Sequence, residues 1–189
     1  AKDSSPATTA AAGSRDNTPV VLTGSADGTV TYGNDSVTVD ASHTEEGYLM
    51  VSYSGSNSKV KLQITGSDEI TYTYNLHDGY ETFPLTSGSG SYTVGVFENI
   101  EGTSYSTLFT QAIDVTIQDE FGPYLYANQY VNFSADSKVI SKAMELSASA
   151  NDDLEVIENV YNYIITNFTY DYDKAASVQS GYLPDVDDV

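Results

Sequence analysis

Few residues in this chain carry reactive chemistry. None of the 189 residues is cysteine, so a thiolate nucleophile, a disulfide and a cysteine-ligated metal site are all excluded within it. The two histidines, His43 and His77, lie beside turn-forming residues. Ser42 and Thr44 flank the first and Asp78-Gly79 follows the second, so both read as loop or turn positions. Asp185, Asp187 and Asp188 have the charge for a calcium ion. Their spacing lacks the glycine and the distant glutamate of an EF-hand loop, and a solvated acidic loop is the reading. Asp152, Asp153 and Glu155 open an amphipathic segment, where a helix dipole accounts for them without a metal. These residues call for no catalytic group, no metal and no cofactor. Sixteen tyrosines suggest a sugar-stacking platform, but tyrosine is favoured in strands and no tryptophan accompanies it. Asn132-Phe133-Ser134 and Asn167-Phe168-Thr169 have the pattern of glycosylation sequons, which matter only in a eukaryotic secretory chain.

The elements that must position these residues change character along the chain. Residues 1–19 are rich in Ala, Ser, Thr and Asp and read as a flexible tether. From Val20 to about Asp119 the apolar period is two. Val60, Leu62 and Ile64 alternate with polar neighbours, as do Ile70, Tyr72 and Tyr74, then Tyr92, Val94 and Val96, then Ile113, Val115 and Ile117. Weaker strands are expected over 29–32, 36–41, 48–53, 80–83 and 105–111. Gly- and Asp-rich turn signals separate them, such as Gly33-Asn34-Asp35, Gly66-Ser67-Asp68 and Ser87-Gly88-Ser89-Gly90. Short half-buried strands at this spacing predict an immunoglobulin-like antiparallel β-sandwich over 20–119, on pattern alone, since the Cys and Trp hallmarks are absent.

After Phe121-Gly122-Pro123 the period becomes helical. Ser134 or Asp136 caps a helix running to about Leu146. A second helix covers 151–168, with Asn151 as its N-cap. Its residues Leu154, Ile157, Tyr161, Ile164 and Phe168 form one apolar stripe, widened by Val156, Val160 and Tyr163. Fully burying a Leu- or Ile-sized side chain contributes about 1.5–3 kcal/mol. Leu154, Ile157, Ile164 and Phe168 are therefore expected to be mostly buried against the preceding helix or the sandwich. Any part left open is expected to meet the rest of a larger domain or a second copy of the chain, as a homodimer. Residues 174–189 read as a loop.

The helix end Ile164-Ile165-Thr166-Asn167-Phe168-Thr169-Tyr170-Asp171 resembles the opening of the transglutaminase-like, papain-related cysteine enzymes. Pro123-Tyr124-Leu125-Tyr126-Ala127-Asn128-Gln129-Tyr130-Val131 resembles the lead-in of bacterial surface members of that family. Together these matches cover roughly residues 123–173. Asn167, Tyr170 and Asp171 correspond to family positions before the nucleophile, where the resemblance implies a structural role in shaping the chain's exit from the helix. It also implies a Cys-His-Asp triad in that chain order, with the Cys at a helix start shortly after Val189. His43 and His77 lie upstream of where the family's histidine falls. The fold expectation is thus mainly β with an α segment. A sandwich is followed by two helices from the start of a transglutaminase-like core, incomplete over 120–189. By itself this chain is expected to have no acyl-transfer or peptidase activity, the parent being a cysteine protease or acyl transferase.

Twenty-seven acidic residues against seven basic ones give a formal charge of −20. That balance argues against nucleic acid and against an anionic membrane surface, because both need basic patches. No apolar run is long enough to span a membrane. A Cys-free, Tyr-, Thr- and Ser-rich β chain has the look of a bacterial exported protein, at the cell surface or outside the cell. The expected partners are the rest of the parent catalytic domain and a cell-surface protein or glycan. The competing expectations are a surface adhesion or binding module with no enzymatic role and a structural spacer; a stop codon or further sandwich repeats after Val189, in place of the Gly-x-Cys motif that the resemblance implies there, would select them.

Overall fold

In a computed structural model residues 15–188 are described. The expected tether falls mostly on residues outside that range. Contacts divide the chain into two units, 21–132 with 183–185, and the remainder.

In the first unit the alternating segments pair into two four-stranded antiparallel sheets packed as a sandwich. One sheet has the order β1 (Thr31–Gly33), β2 (Val37–Asp40), β3 (Tyr48–Tyr53) and β6 (Gly79–Pro84). The other has the order β5 (Thr71–Leu76), β4 (Val60–Thr65), β7 (Gly90–Glu101) and β8 (Ser104–Val115). Successive side chains in a strand face opposite sides, so the period-two apolar sets of both sheets meet in one layer. Val60, Leu62 and Ile64 of β4 are buried against Val37, Val39, Leu49, Val51 and Phe83 of the facing sheet, with Tyr92, Val94 and Val96 beside them. β4 is central: Leu62 lies opposite Tyr74 on one side and Val96 on the other.

β8 joins two stretches read from the sequence as separate strands. It is an edge strand with only Ile113 and Val115 buried, so little of it carries a strong alternation. Register shifts against β7 at Val96/Phe97 and Asn99/Glu101 blur the period further. Tyr92 is buried, and its hydroxyl lies 2.7 Å from the carbonyl of Gly88 and 3.0 Å from that of Leu85, tying the start of β7 to the turn before it.

Residues 120–132 cluster with this unit, whereas the sequence placed them in the helical part. Pro123 explains the attachment. Gly47 has φ +91, and a Cβ there would come within 2.5 Å of the proline ring, so only glycine allows the approach. Leu22 and Tyr126 form an isolated parallel bridge, with the Ala127 amide donating to the Leu22 carbonyl at 3.1 Å.

Among the described residues the second unit holds three helices: α1 (Lys138–Ser147), α2 (Asp153–Asn167) and α3 (Tyr172–Ser177). α1 begins after Ser137, because a turn from the Ser134 carbonyl to the Ser137 amide precedes it. α2 is capped by Asp152, one residue later than expected. α3 replaces part of the expected loop. Asp171 supplies its N-cap, an acceptor for the Lys174 amide at 2.8 Å.

The expected burial of α2 is corrected. Leu154 is 75% exposed, Ile157 63%, Tyr161 61% and Ile164 50%, and Phe168 is exposed as well. Apart from Glu155 in the first turn, the half-buried positions are Val156, Asn159, Val160 and Tyr163. This second stripe lies about 100° around the helix from the first, one residue's rotation. Asn159 fixes the rotation by donating to the Leu146 carbonyl at the end of α1, at 2.9 Å. Lys142 of α1 sits 5.0 Å over the Tyr163 ring. Arg15 pairs with Asp153 at 2.7 Å and Asn17 donates to the Ala150 carbonyl, so residues 15–17 pack on the start of α2 instead of hanging free.

Candidate functional site

Asn167, Tyr170 and Asp171, singled out in the sequence, lie at the end of α2 and the start of α3. Asn167 donates its side-chain amide to the Tyr163 carbonyl at 2.8 Å, satisfying one of the carbonyls left open at a helix end. Phe168 leaves the helix in an extended conformation and packs edge-on against Tyr163, ring centroids 5.6 Å apart. Asp171 caps α3 as described. Tyr170 stands exposed, edge to face with Tyr172 at 4.8 Å. All three act on backbone geometry or on a neighbouring ring. A small cleft of about 240 Å³ lies beside them, between Val139 and Lys142 of α1 and Tyr163, Phe168 and Asp187. Asp187 accepts from the Val139 amide at 3.2 Å, where its charge also suits the dipole at the start of α1. The acidic tail thus has a helix-capping use.

The cluster that most resembles catalytic machinery is elsewhere, around His43, and the sequence reading passed over it as a turn. Ser25 Oγ lies 3.2 Å from His43 Nε2, and Glu46 Oε1 lies 3.2 Å from Nδ1. In outline that is a hydroxyl, an imidazole and an orienting acid. A fourth group changes the chemistry. Asp27 Oδ2 lies 3.0 Å from the same Nε2. With a carboxylate on each ring nitrogen, both nitrogens face an acceptor, which favours the doubly protonated ring. Partial burial opposes that charge, but the hydrogen bonds to Glu46 and Asp27 outweigh it and raise His43 above its ordinary value. A general base needs a free lone pair at Nε2, and here the proton is committed to Asp27. The arrangement is a clasp, not an activated nucleophile.

The surrounding contacts fit that role. The Tyr48 ring stacks on His43 at 5.3 Å, nearly parallel. Tyr126 donates its hydroxyl to Glu46, which, with His43, keeps the Glu46 carboxyl below its usual range despite partial burial. Burial and the Glu46 charge push the Tyr126 phenol well up. Next to the clasp, the buried Asp40 accepts from the Gly28 amide at 2.6 Å and the Ser42 amide at 2.9 Å. Desolvation works against the Asp40 charge, and the Ser42 hydroxyl together with those amides more than restores it, so its carboxyl is also held low. His43 and Glu46 were findable as an i, i+3 pair in Ser42-His43-Thr44-Glu45-Glu46. Asp27 and Tyr126 are distant in sequence and gave no signal.

His77 is simpler: Glu81 lies 3.0 Å from its Nδ1 and accepts its backbone amide at 2.7 Å, binding β5 to β6 across their turn. Among the described residues no group of three or more His, Asp or Glu side chains is placed to hold a metal ion, and no helix is long and apolar enough to cross a membrane. No family model, curated protein or solved structure matches this chain.

Proposed function

We propose that this chain is the non-catalytic N-terminal region of an exported, cell-surface transglutaminase-like cysteine hydrolase or acyl transferase. In this reading an immunoglobulin-type sandwich positions the enzyme or its substrate, and α1 and α2 open the catalytic core. The observation that carries the reading is the bare stripe Leu154-Ile157-Tyr161-Ile164 of α2, leading directly into the Asn167-to-Asp171 turn. Four large side chains left in water cost too much to be an ordinary helix surface, and a helix in the interior of a larger domain has two such stripes to cover. The immunoglobulin type is supported by the pairing of β3 with β6 in one sheet and of β4 with β7 in the other. It is also supported by Tyr92, whose hydroxyl reaches back to the preceding turn as a tyrosine corner does.

The test is thiol labelling of the whole natural gene product across pH. The expected result is one cysteine outside the present sequence that reacts well below the ordinary thiol value of about 8.5, and loses that reactivity when a downstream histidine is replaced. A gene product without such a cysteine refutes the reading. A surface adhesion or binding module without enzymatic role then takes its place, favoured by a sandwich core that is complete within residues 21–132. The bare stripe also distinguishes two occupants. Sedimentation of this chain as a monomer, with the stripe protected in the whole gene product, selects the catalytic core. A homodimer with the stripe protected in it selects a second copy.

A further inference from the structure

Two adjoining cavities open on the sandwich, and their linings differ. One, of about 460 Å³, is walled by Tyr72, Tyr74, Tyr124 and Tyr130, with Pro84 and Thr86. The other, of about 590 Å³, is lined by Ser89, Gln118, Asp119 and Glu120, and shares Thr86 and Tyr124 with the first. The two form one groove, aromatic at one end and acidic at the other. Tyr72, Tyr124 and Tyr130 are exposed large rings, and Tyr130 packs against Tyr74 with centroids 6.1 Å apart. Burial, with smaller contributions from Tyr130 and Tyr72, pushes the Tyr74 phenol up to about 12, so that ring stays neutral at physiological pH. At the acidic end Asp119 Oδ1 accepts from the Phe121 amide at 3.0 Å. Neither Asp119 nor Glu120 pairs with a cation among the described residues.

No lysine or arginine lines either cavity. Residues 21–132 contain fourteen carboxylates against two lysines, and one of those, Lys61, is engaged with Asn75. The field at the groove is therefore negative. Anionic ligands are repelled and cations are drawn in. Electron-rich ring faces attract a cation without a counter-charge, and carboxylates bind it by charge-assisted hydrogen bonds. A neutral glycan would use the rings but leave the acidic end without a role.

We propose that this groove binds a cationic segment of another polypeptide, one lysine or arginine side chain lying against the Tyr72–Tyr124 wall and a second reaching Asp119 and Glu120. This stands on the sandwich alone and does not depend on the reading of the helices.

The test uses the full chain and a fluorescein-labelled tetralysine peptide, read by anisotropy, with a neutral cello-oligosaccharide as the second probe. The tetralysine peptide is expected to bind, and to weaken steeply as salt rises from about 20 to about 200 mM. The double variant Tyr72→Ala/Tyr124→Ala, at exposed positions, is expected to weaken it about tenfold. Asp119→Asn/Glu120→Gln, which keeps an acceptor for the Phe121 amide, is expected to weaken it comparably and flatten the salt dependence. Asp35→Asn/Glu101→Gln removes the same charge from the β1–β2 turn and the end of β7, which do not line the groove, and is expected to leave affinity within twofold. Amide chemical shifts on titration should move at Tyr72, Tyr124 and Asp119 first. Absence of binding at low salt overturns the proposal, as does equal weakening by the Asp35/Glu101 variant, which marks unspecific charge attraction. Tyrosine-dependent binding of the cello-oligosaccharide without binding of tetralysine also overturns it, in favour of a glycan site.

Discussion

The sandwich and the helical unit bury their apolar residues to very different degrees. In the sandwich Phe83, Leu62, Val39, Val51, Val94 and Val96 are completely enclosed. Among the described residues of the helical unit the buried positions are Ser147 and Ala150, while Leu154, Ile157, Tyr161 and Ile164 of α2 face water. Both regions have strong apolar periodicity in sequence. The difference is in the number of faces available to cover it. Each sheet presents its apolar face to the other, so the layer closes on itself. α2 carries two apolar stripes and has α1, ten residues long, for one of them. Closure depends on the neighbours an element has as well as on its own pattern.

The sharpest test of this contrast is a pair of truncations read by urea unfolding. Phe83→Ala should cost about 3–5 kcal/mol, a large cavity in a closed core. Ile157→Ser should change stability by less than about 0.5 kcal/mol, as at an open surface. Equal costs would mean that α2 is covered in solution. Next in size is Tyr92→Phe, which leaves the Leu85 and Gly88 carbonyls without their hydroxyl donor and should cost about 1–3 kcal/mol. Asp152→Ala removes the α2 cap and should cost about 1 kcal/mol. That loss should appear in amide exchange of α2 and leave the sandwich transition unmoved if the two units unfold separately.

The smallest effect is the pH response of the clasp. His43 is raised from its ordinary 6.5, so its contribution is whole below that value and is lost as pH rises through the folded value. Glu46 and Asp40 are lowered, so theirs are whole above the ordinary carboxylate range and are lost as pH falls through their folded values. Stability should peak between these limits. His43→Gln should flatten the alkaline side by under about 1 kcal/mol, since Asp27 and Glu46 are partly exposed. An unchanged slope in the variant would show that the clasp contributes nothing.

Val60–Thr65 was legible because buried and open positions alternate along it, whereas Tyr48–Tyr53, buried at all but Ser52, gives a weaker signal. The merged β8 was not, because an edge strand with bulges loses that alternation. For α2 the helix and its widened apolar stripe were legible, but which edge of that stripe is covered depends on Asn159 meeting Leu146 across a turn. The contacts of Asn167, Tyr170 and Asp171 with nearby backbone and rings needed coordinates. The His43 clasp joins residues from three separate stretches, and no local pattern announces it.

The parallel bridge between Leu22 and Tyr126 has a mechanical consequence. Segments running the same way on either side of a bridge, one entering the sandwich and the other leaving it, slide past each other when the chain is stretched from its two ends. The load falls along the strands, so the Ala127–Leu22 hydrogen bond, the Tyr126–Glu46 contact and the Pro123 seat on Gly47 must yield together instead of one after another. In single-molecule stretching the sandwich should hold as one unit and release abruptly, and Gly47→Ala, which displaces the proline, should lower the force at which it gives way.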